Sequence, residues 1–230
     1  MQRKRRNKYI VIFLVGVMII TFPLLTNYLY DRKVNKLEIS YDNFVSKIDS
    51  REDNITVLNN LLMEKNKELY DNKQKEFLNY EISYEETLIN LTEYGFNDNV
   101  IGFLEIPSIN IKLPIYLGAN EHNMQLGAVH LTGTSYPIGG INTNSVIAAH
   151  RGYYMAEMFR HIDKINVGDK LYLKNYNSNF EYIAVKKEII KPTALDKLTI
   201  QEGKDMITII SCHPFPYNYQ RYVVYFERSL

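Results

Sequence analysis

The chain has no tryptophan and one cysteine among its 230 residues, and its 27 basic and 26 acidic side chains nearly cancel. A single cysteine excludes an intrachain disulfide, so stability has to come from a packed core. A net charge of +1 lacks the basic excess of a nucleic-acid binder, and no such partner is expected. No H-x-x-x-H or clustered Cys/His spacing occurs, so neither a metal nor a cofactor is expected. The carboxylates are scattered and mark no glycosidase-like pair. No repeat or low-complexity tract is present. Glycine is missing between Gly16 and Gly95, and proline between Pro23 and Pro107. What is abundant is apolar: 46% of the residues, with 19 tyrosines, a composition that fits a globular, strand-rich body. The length allows one domain with an appendage, or two small domains.

Charge is absent from residues 9–30, "YIVIFLVGVMIITFPLLTNYLY". That run is long enough to cross a hydrocarbon layer of roughly 30 Å as a helix. Tyr9, Tyr28 and Tyr30 stand at its ends, where amphipathic rings prefer the headgroup zone, and Pro23 falls inside it. Arg3, Lys4, Arg5, Arg6 and Lys8 precede it. Basic flanks stay cytoplasmic, so the N-terminus is predicted inside and the rest of the chain outside the cell. A cleaved signal peptide is the competing reading, but the run exceeds a usual h-region and no A-x-A-like site follows.

Residues 31–97 read as a helical stalk or lid. Val34, Leu37, Tyr41, Phe44, Val45 and Ile48 recur at helical spacing, as do Ile55, Leu58, Leu61, Leu62 and Leu69. The segment is two helices, or one broken near "DSRED"; a plain solvated spacer is the blander alternative. Asn54 and Asn90 open N-x-T triplets, which matter only in a eukaryotic secretory route. From residue 98 to 230 the texture changes to short β-type runs: "VIGFLEIP", "IKLPIYL", "GAVHLTGTS", "SVIAAH", "KLYLKN", "FEYIAVKKEII", "DMITIIS" and "RYVVYFER". Turn formers separate them, and "AEMFRHIDKI" offers a helical turn or two. About eight strands with one or two short helices point to a mainly β, closed or nearly closed barrel. The domain reading is thus a tail at 1–8, an anchor at 9–30, an appendage at 31–97 and a barrel at 98–230.

The lone Cys212 ends the run "TIISC", and Pro214 and Pro216 cannot continue a ladder. A thiol at a strand end beside a loop is placed as catalytic groups are. His150 closes the run "SVIAAH", and Arg221 opens the last strand. If those three strand ends converge, they supply a nucleophile, an imidazole that stabilises the thiolate and hands a proton to a leaving amine, and a fixed guanidinium for an oxyanion. A lone cysteine is more often a small core residue. His130 reads as structural, His122 and His161 as exposed, and His213 as pointing to the face opposite Cys212.

The segment "TIISCHPFPYNYQR" resembles the T-L-x-T-C signature of sortases, with an arginine nine residues beyond the cysteine. "VIAAHRGYYMAEMFRHIDKINVGDKLYL" resembles the corresponding stretch of class C, pilus-building sortases, and residues from about 100 to 228 are similar throughout. The resemblance implies an eight-stranded β-barrel cysteine transpeptidase (a thiol protease by chemistry) on the outer face of a Gram-positive membrane. It would cleave an LPXTG-like sorting signal between Thr and Gly through a thioester, and join it to an amine of a pilin lysine or a cell-wall cross-bridge. By motif position Cys212 is the nucleophile, His150 the general acid and base, and Arg221 the substrate and oxyanion ligand. Residues between Ile189 and Met206 would form a substrate-selecting loop.

Three departures from the class stand out. Ser211 replaces a threonine. Residues 31–95 lack the Asp-Pro-aromatic plug of the class C lid, so Phe77 or Tyr80 takes its place or the site is open. No second membrane span follows the last strand before Leu230. The alternatives are a cysteine endopeptidase that hydrolyses, and a tethered binding module whose cysteine is core.

Overall fold

The computed structural model describes residues 2–47, 52–79, 87–153 and 156–228. Eight strands form a closed barrel: β1 (Val100–Ile106), β2 (Ile111–Leu117), β3 (Ala128–His130), β4 (Thr143–Ala148), β5 (Lys170–Asn175), β6 (Asn179–Ile190), β7 (Asp205–His213) and β8 (Gln220–Glu227). Around the wall they run β1-β2-β3-β4-β7-β8-β6-β5, and β5 returns to β1. β2–β3 and β4–β7 are parallel, and the other pairs are antiparallel. Each β-type run of the sequence carries one strand. At Gly102 a side chain would run into the carbonyl of Lys174, so the β1–β5 seam that closes the barrel needs a glycine there.

Strand alternation sorts the side chains into two layers. Ile147, Ile207, Ile209, Val224 and Phe226 point inward and belong to the main core. Val146, Met206, Ile210, Val223 and Tyr225 point outward, yet they are buried too. Their cover is the 3-10 turn Leu195–Leu198 from the β6–β7 connection, together with Phe77 from the appendage. The helix expected at "AEMFRHIDKI" is a correction. Met158 sits at φ 44°, a left-handed conformation that ends helical winding, and only Ile162–Lys164 turn as a 3-10 helix. Its apolar spacing still marks buried residues, since Met158, Phe159, Ile162 and Ile165 are all in the core.

Among the described residues four α-helices accompany the barrel: α1 (Gln2–Val45), α2 (Glu52–Asp71), α3 (Lys75–Leu78) and α4 (Glu121–Leu126). The apolar run and the first stalk helix are one continuous element, α1. The expected break near "DSRED" falls largely on residues 48–51, outside the described residues. The C-terminal part of α1 lies on the barrel. Tyr41 is buried and donates its hydroxyl to the Ile101 carbonyl at 2.8 Å. Glu38 accepts from Lys112 and Lys174 at 3.1 and 3.2 Å, and Lys174 also reaches Asp42 at 2.6 Å. Burial works to raise the pKa of Glu38, but the two lysines outweigh it and hold the carboxyl below its ordinary value. Leu58 and Leu62 of α2 are fully buried. The Asn66 carboxamide bonds both the N–H and the C=O of Tyr136, at 2.7 and 3.2 Å.

His130 closes β3 as a sealed structural group. Its Nε2 meets the carbonyls of Thr134 and Ser135 at 3.2 and 3.0 Å, and its ring stacks on Tyr136. Carbonyls only accept, so Nε2 carries the hydrogen. Burial lowers the pKa from 6.5 to about 4, against a smaller opposing effect of the two carbonyl bonds. The unfolded chain takes up a proton below 6.5 that the folded chain refuses until about 4. Stability from this group is therefore intact above 6.5 and falls as the pH drops towards 4, by roughly 3 kcal/mol in all. Urea unfolding of the wild type at stepped pH is expected to show that slope, and His130→Gln to flatten it. An equal slope in both proteins would place the titration elsewhere.

Candidate active site

The β4–β7 ladder pairs Thr143 with Asp205 and Ala148 with Ile210 in one unbroken parallel register. The chain holds that course beyond β4. The Ala149 amide donates to the Ile210 carbonyl at 3.3 Å, and the Ser211 hydroxyl donates to the Ala149 carbonyl at 2.7 Å. His150 comes next, two residues past the last paired residue of β4. On the other side of β7, Arg221 of β8 is the direct cross-strand partner of Cys212. Directly opposed residues of an antiparallel pair share a face, with Cβ atoms roughly 4.5–5.5 Å apart. Cys212 and Arg221 thus share one face of the β7–β8 pair, and His150 follows β4, the strand that borders β7 on its other side.

On that face Val146, Ile210 and Val223 belong to one buried apolar cluster with Leu195 and Leu198. Leu131, from the loop after β3, packs against it. Cys212 and His150 are both partly exposed. The His150 ring stacks on Tyr153, with centroids 5.3 Å apart and 16° between planes. Burial lowers its pKa below 6.5, and the charge of Glu121 offsets part of that effect. Arg221 turns Nη1 back to the carbonyls of Asn218 and Gln220, at 2.6 and 2.9 Å. That anchors the fork to the β7–β8 loop while its other donors make no such bond among the described residues.

Phe77, one of the two aromatics weighed for the missing plug, is fully buried in this cluster. Tyr80 lies outside the described residues. Gln74, itself buried, donates to the Gly133 carbonyl at 3.0 Å and accepts from the Ile200 amide at 2.7 Å. One side chain of the appendage therefore spans the loop after β3 and the β6–β7 connection.

Sequence reasoning missed Arg151. It lies on the inward face, 8% exposed, and gathers the ends of three segments. Nη2 pairs with Asp163 at 2.8 Å, and Nη1 reaches Nδ1 of His213 at 2.9 Å and the Cys212 carbonyl at 3.4 Å. Its guanidinium also lies over the Tyr222 ring. An arginine nitrogen only donates, so Nδ1 of His213 is the acceptor in this bond. The available signal was alternation: Ile147, Ala149 and Arg151 share a parity that points inward. His213 ends β7 with its ring on the face opposite Cys212, as alternation requires. His122 is exposed and His161 partly so. Among the described residues no group of His, Cys, Asp and Glu is placed to hold a metal.

A family profile described as the sortase domain matches residues 104–229. Over 130 residues the chain is 32% identical to sortase D of Bacillus subtilis, a match covering 55% of this chain and 63% of that protein. It thus spans less than two thirds of that relative's length. Among solved structures, sortase C1 of Streptococcus agalactiae is 28% identical with a TM-score of 0.66, covering 85% of this chain and 95% of the other. Sortase C of Streptococcus pneumoniae is 31% identical with a TM-score of 0.61, covering 83% and 94%. The profile takes in more than half of the residues, including both β4 and β7 with the cysteine and histidine at their ends, and the chain belongs to the sortase family.

Proposed function

We propose that this chain is a membrane-anchored cysteine transpeptidase acting on proteins with an LPXTG-like sorting signal, of the pilus-assembly type. The observation that supports this reading is the cross-strand pairing of Cys212 with Arg221, with β4, the strand that leads into His150, on the other side of β7. The resemblance of the barrel and its helical appendage to class C sortases from two streptococci supports the choice of pilin substrates over other surface proteins.

The Cys212 thiolate attacks the carbonyl carbon of the signal's threonine, forming a C–S bond and an oxyanion. Arg221 hydrogen-bonds that oxygen through its unengaged donors. As the intermediate collapses, the C–N bond to glycine breaks and His150 protonates the departing amine. An incoming amine, from a pilin lysine or a wall cross-bridge, then attacks the thioester. His150 takes its proton, an amide forms and the thiolate is released. Between the two halves water has to be kept from the thioester, and the apolar side chains packed on this face, Leu131, Leu195 and Leu198 among them, serve that end.

The anchor in this reading is α1, the one described helix long and apolar enough to cross a membrane. With the basic tail inside, the barrel stands at the outer surface of the cell, where sorting signals emerge from the bilayer.

Incubation of the chain with an LPXTG-like peptide is expected to give a Cys212 thioester in the mass spectrum, and added amine to convert hydrolysis product into transfer product. Cys212→Ala is expected to lose both while unfolding like the wild type; covalent transfer by that variant would refute the nucleophile. Product that stays hydrolytic at saturating amine would favour an endopeptidase.

Arg221→Lys replaces a fork with a point charge, and a fall of about a hundredfold in kcat is expected from steady-state kinetics. Near-wild-type turnover would remove Arg221 from the oxyanion site.

Arg151 acts as a positioning residue. Arg151→Met is expected to lower kcat about tenfold with little change in KM, and Arg151→Lys to recover part of it. A matching loss of folded protein in thermal melts, with kcat per folded molecule unchanged, would reduce its role to stability.

A further inference from the structure

We propose that the groove between the outer end of α1 and the barrel is a seat for the headgroup of an anionic glycerophospholipid. The proposal rests on the reading of α1 as a membrane anchor. A cavity of about 830 Å³ opens there, within the usual size range of ligand sites. Leu29, Pro114 and Leu126 supply apolar wall, and Arg32, Lys33 and Lys36 supply charge.

Position identifies the ligand. At 1.5 Å per residue, a hydrocarbon layer of roughly 30 Å takes up about 20 helical residues. An α1 that enters the bilayer at Tyr9 therefore leaves it close to Tyr28 and Leu29. Arg32, Lys33 and Lys36 then occupy the next two turns, at the level of the lipid phosphates. The apolar wall lies just below them, where the first methylenes of an acyl chain run.

Charge points the same way. No carboxylate lines the groove, and Asp31 lines a separate recess with Glu105 and Lys112. Lys112 and Lys174, which the rest of α1 meets, are paired with Glu38 and Asp42. Among the described residues Arg32, Lys33 and Lys36 form no ion pair; Arg32 only lies over the Tyr28 ring. Cations beside a span are favoured on the cytoplasmic side. Three on the translocated side, facing one groove without an acid, fit a phosphate better than they fit topology. An arginine fork and two ammonium groups match the oxygens of a phosphodiester.

The seat adjoins the chemistry. Tyr153 lines the groove and stacks on His150. A lipid bound there holds the His150 side of the barrel against the membrane surface.

The test uses the full chain in nanodiscs of phosphatidylcholine with graded phosphatidylglycerol, followed by native mass spectrometry of the lipid each chain retains. Wild type is expected to keep phosphatidylglycerol in preference to phosphatidylcholine. The triple variant R32Q/K33Q/K36Q is expected to lose that preference by about tenfold or more, with an unchanged thermal midpoint. Control variant K65Q/K67Q, altered at exposed cations of α2, is expected to retain lipid like the wild type. Equal retention of both lipids by the wild type, or full retention by the triple variant, would overturn the proposal. Release of the lipid by inorganic phosphate alone would reassign the site to a soluble anion. A chain that never enters the disc would instead remove the anchor reading, and this proposal with it.

Discussion

The structure depends on one register, the parallel alignment of β4 with β7. A parallel ladder has no hairpin to set it, and a slip of one residue would turn every side chain of β4 to the other face. His150 would then point into the core and Arg151 into the groove. Side chains along the seam hold the alignment. Thr208 donates to Asn144 at 2.8 Å, and Asn144 donates in turn to the carbonyls of Leu198 and Thr199. Ser211 closes the seam on the Ala149 carbonyl. Asp205, at the far end, is fully buried between Tyr182 and Arg228. Each of these polar groups meets a partner, so they specify alignment at little desolvation cost.

With the register fixed, the two faces divide the work. The outward face carries Cys212 and Arg221 beside an apolar cluster. The inward face carries Arg151, which holds the loop after β4 to the end of β7 by way of Asp163, His213 and the Cys212 carbonyl. The appendage adds a third layer. Through Tyr41, Glu38, Asn66 and Gln74 it is bonded to the barrel at points far apart in the chain, and a solvated spacer has no such bonds.

Much of this was legible from residue order. The eight strands were marked by alternation and turn formers, and the strand-end position of Cys212 by the two prolines after it. The membership in the sortase family was carried by spaced motifs. What escaped depends on contacts between distant segments. The α4 turn, "EHNMQL", has no buried side chain and so no apolar period to announce it. Met158 reads as a helix residue until a left-handed turn is imposed by packing Met158 and Phe159 into the core. Arg151 beside His150 looks like part of an exposed turn, because its partners Asp163 and His213 lie 12 and 62 residues further on. Ser211 keeps the hydroxyl of the threonine it replaces, and only the fold shows that this hydroxyl meets the Ala149 carbonyl.

The bracket made by Gln74 has one more consequence. A carboxamide is a peptide group without its chain, offering one N–H and one C=O at main-chain geometry. Here it satisfies the Gly133 carbonyl and the Ile200 amide at once. A side chain from the appendage thus does for two separate connections of the barrel what a piece of main chain does between two strands. The loop after β3 and the segment before β7 are tied together, and both to the appendage, through a single group.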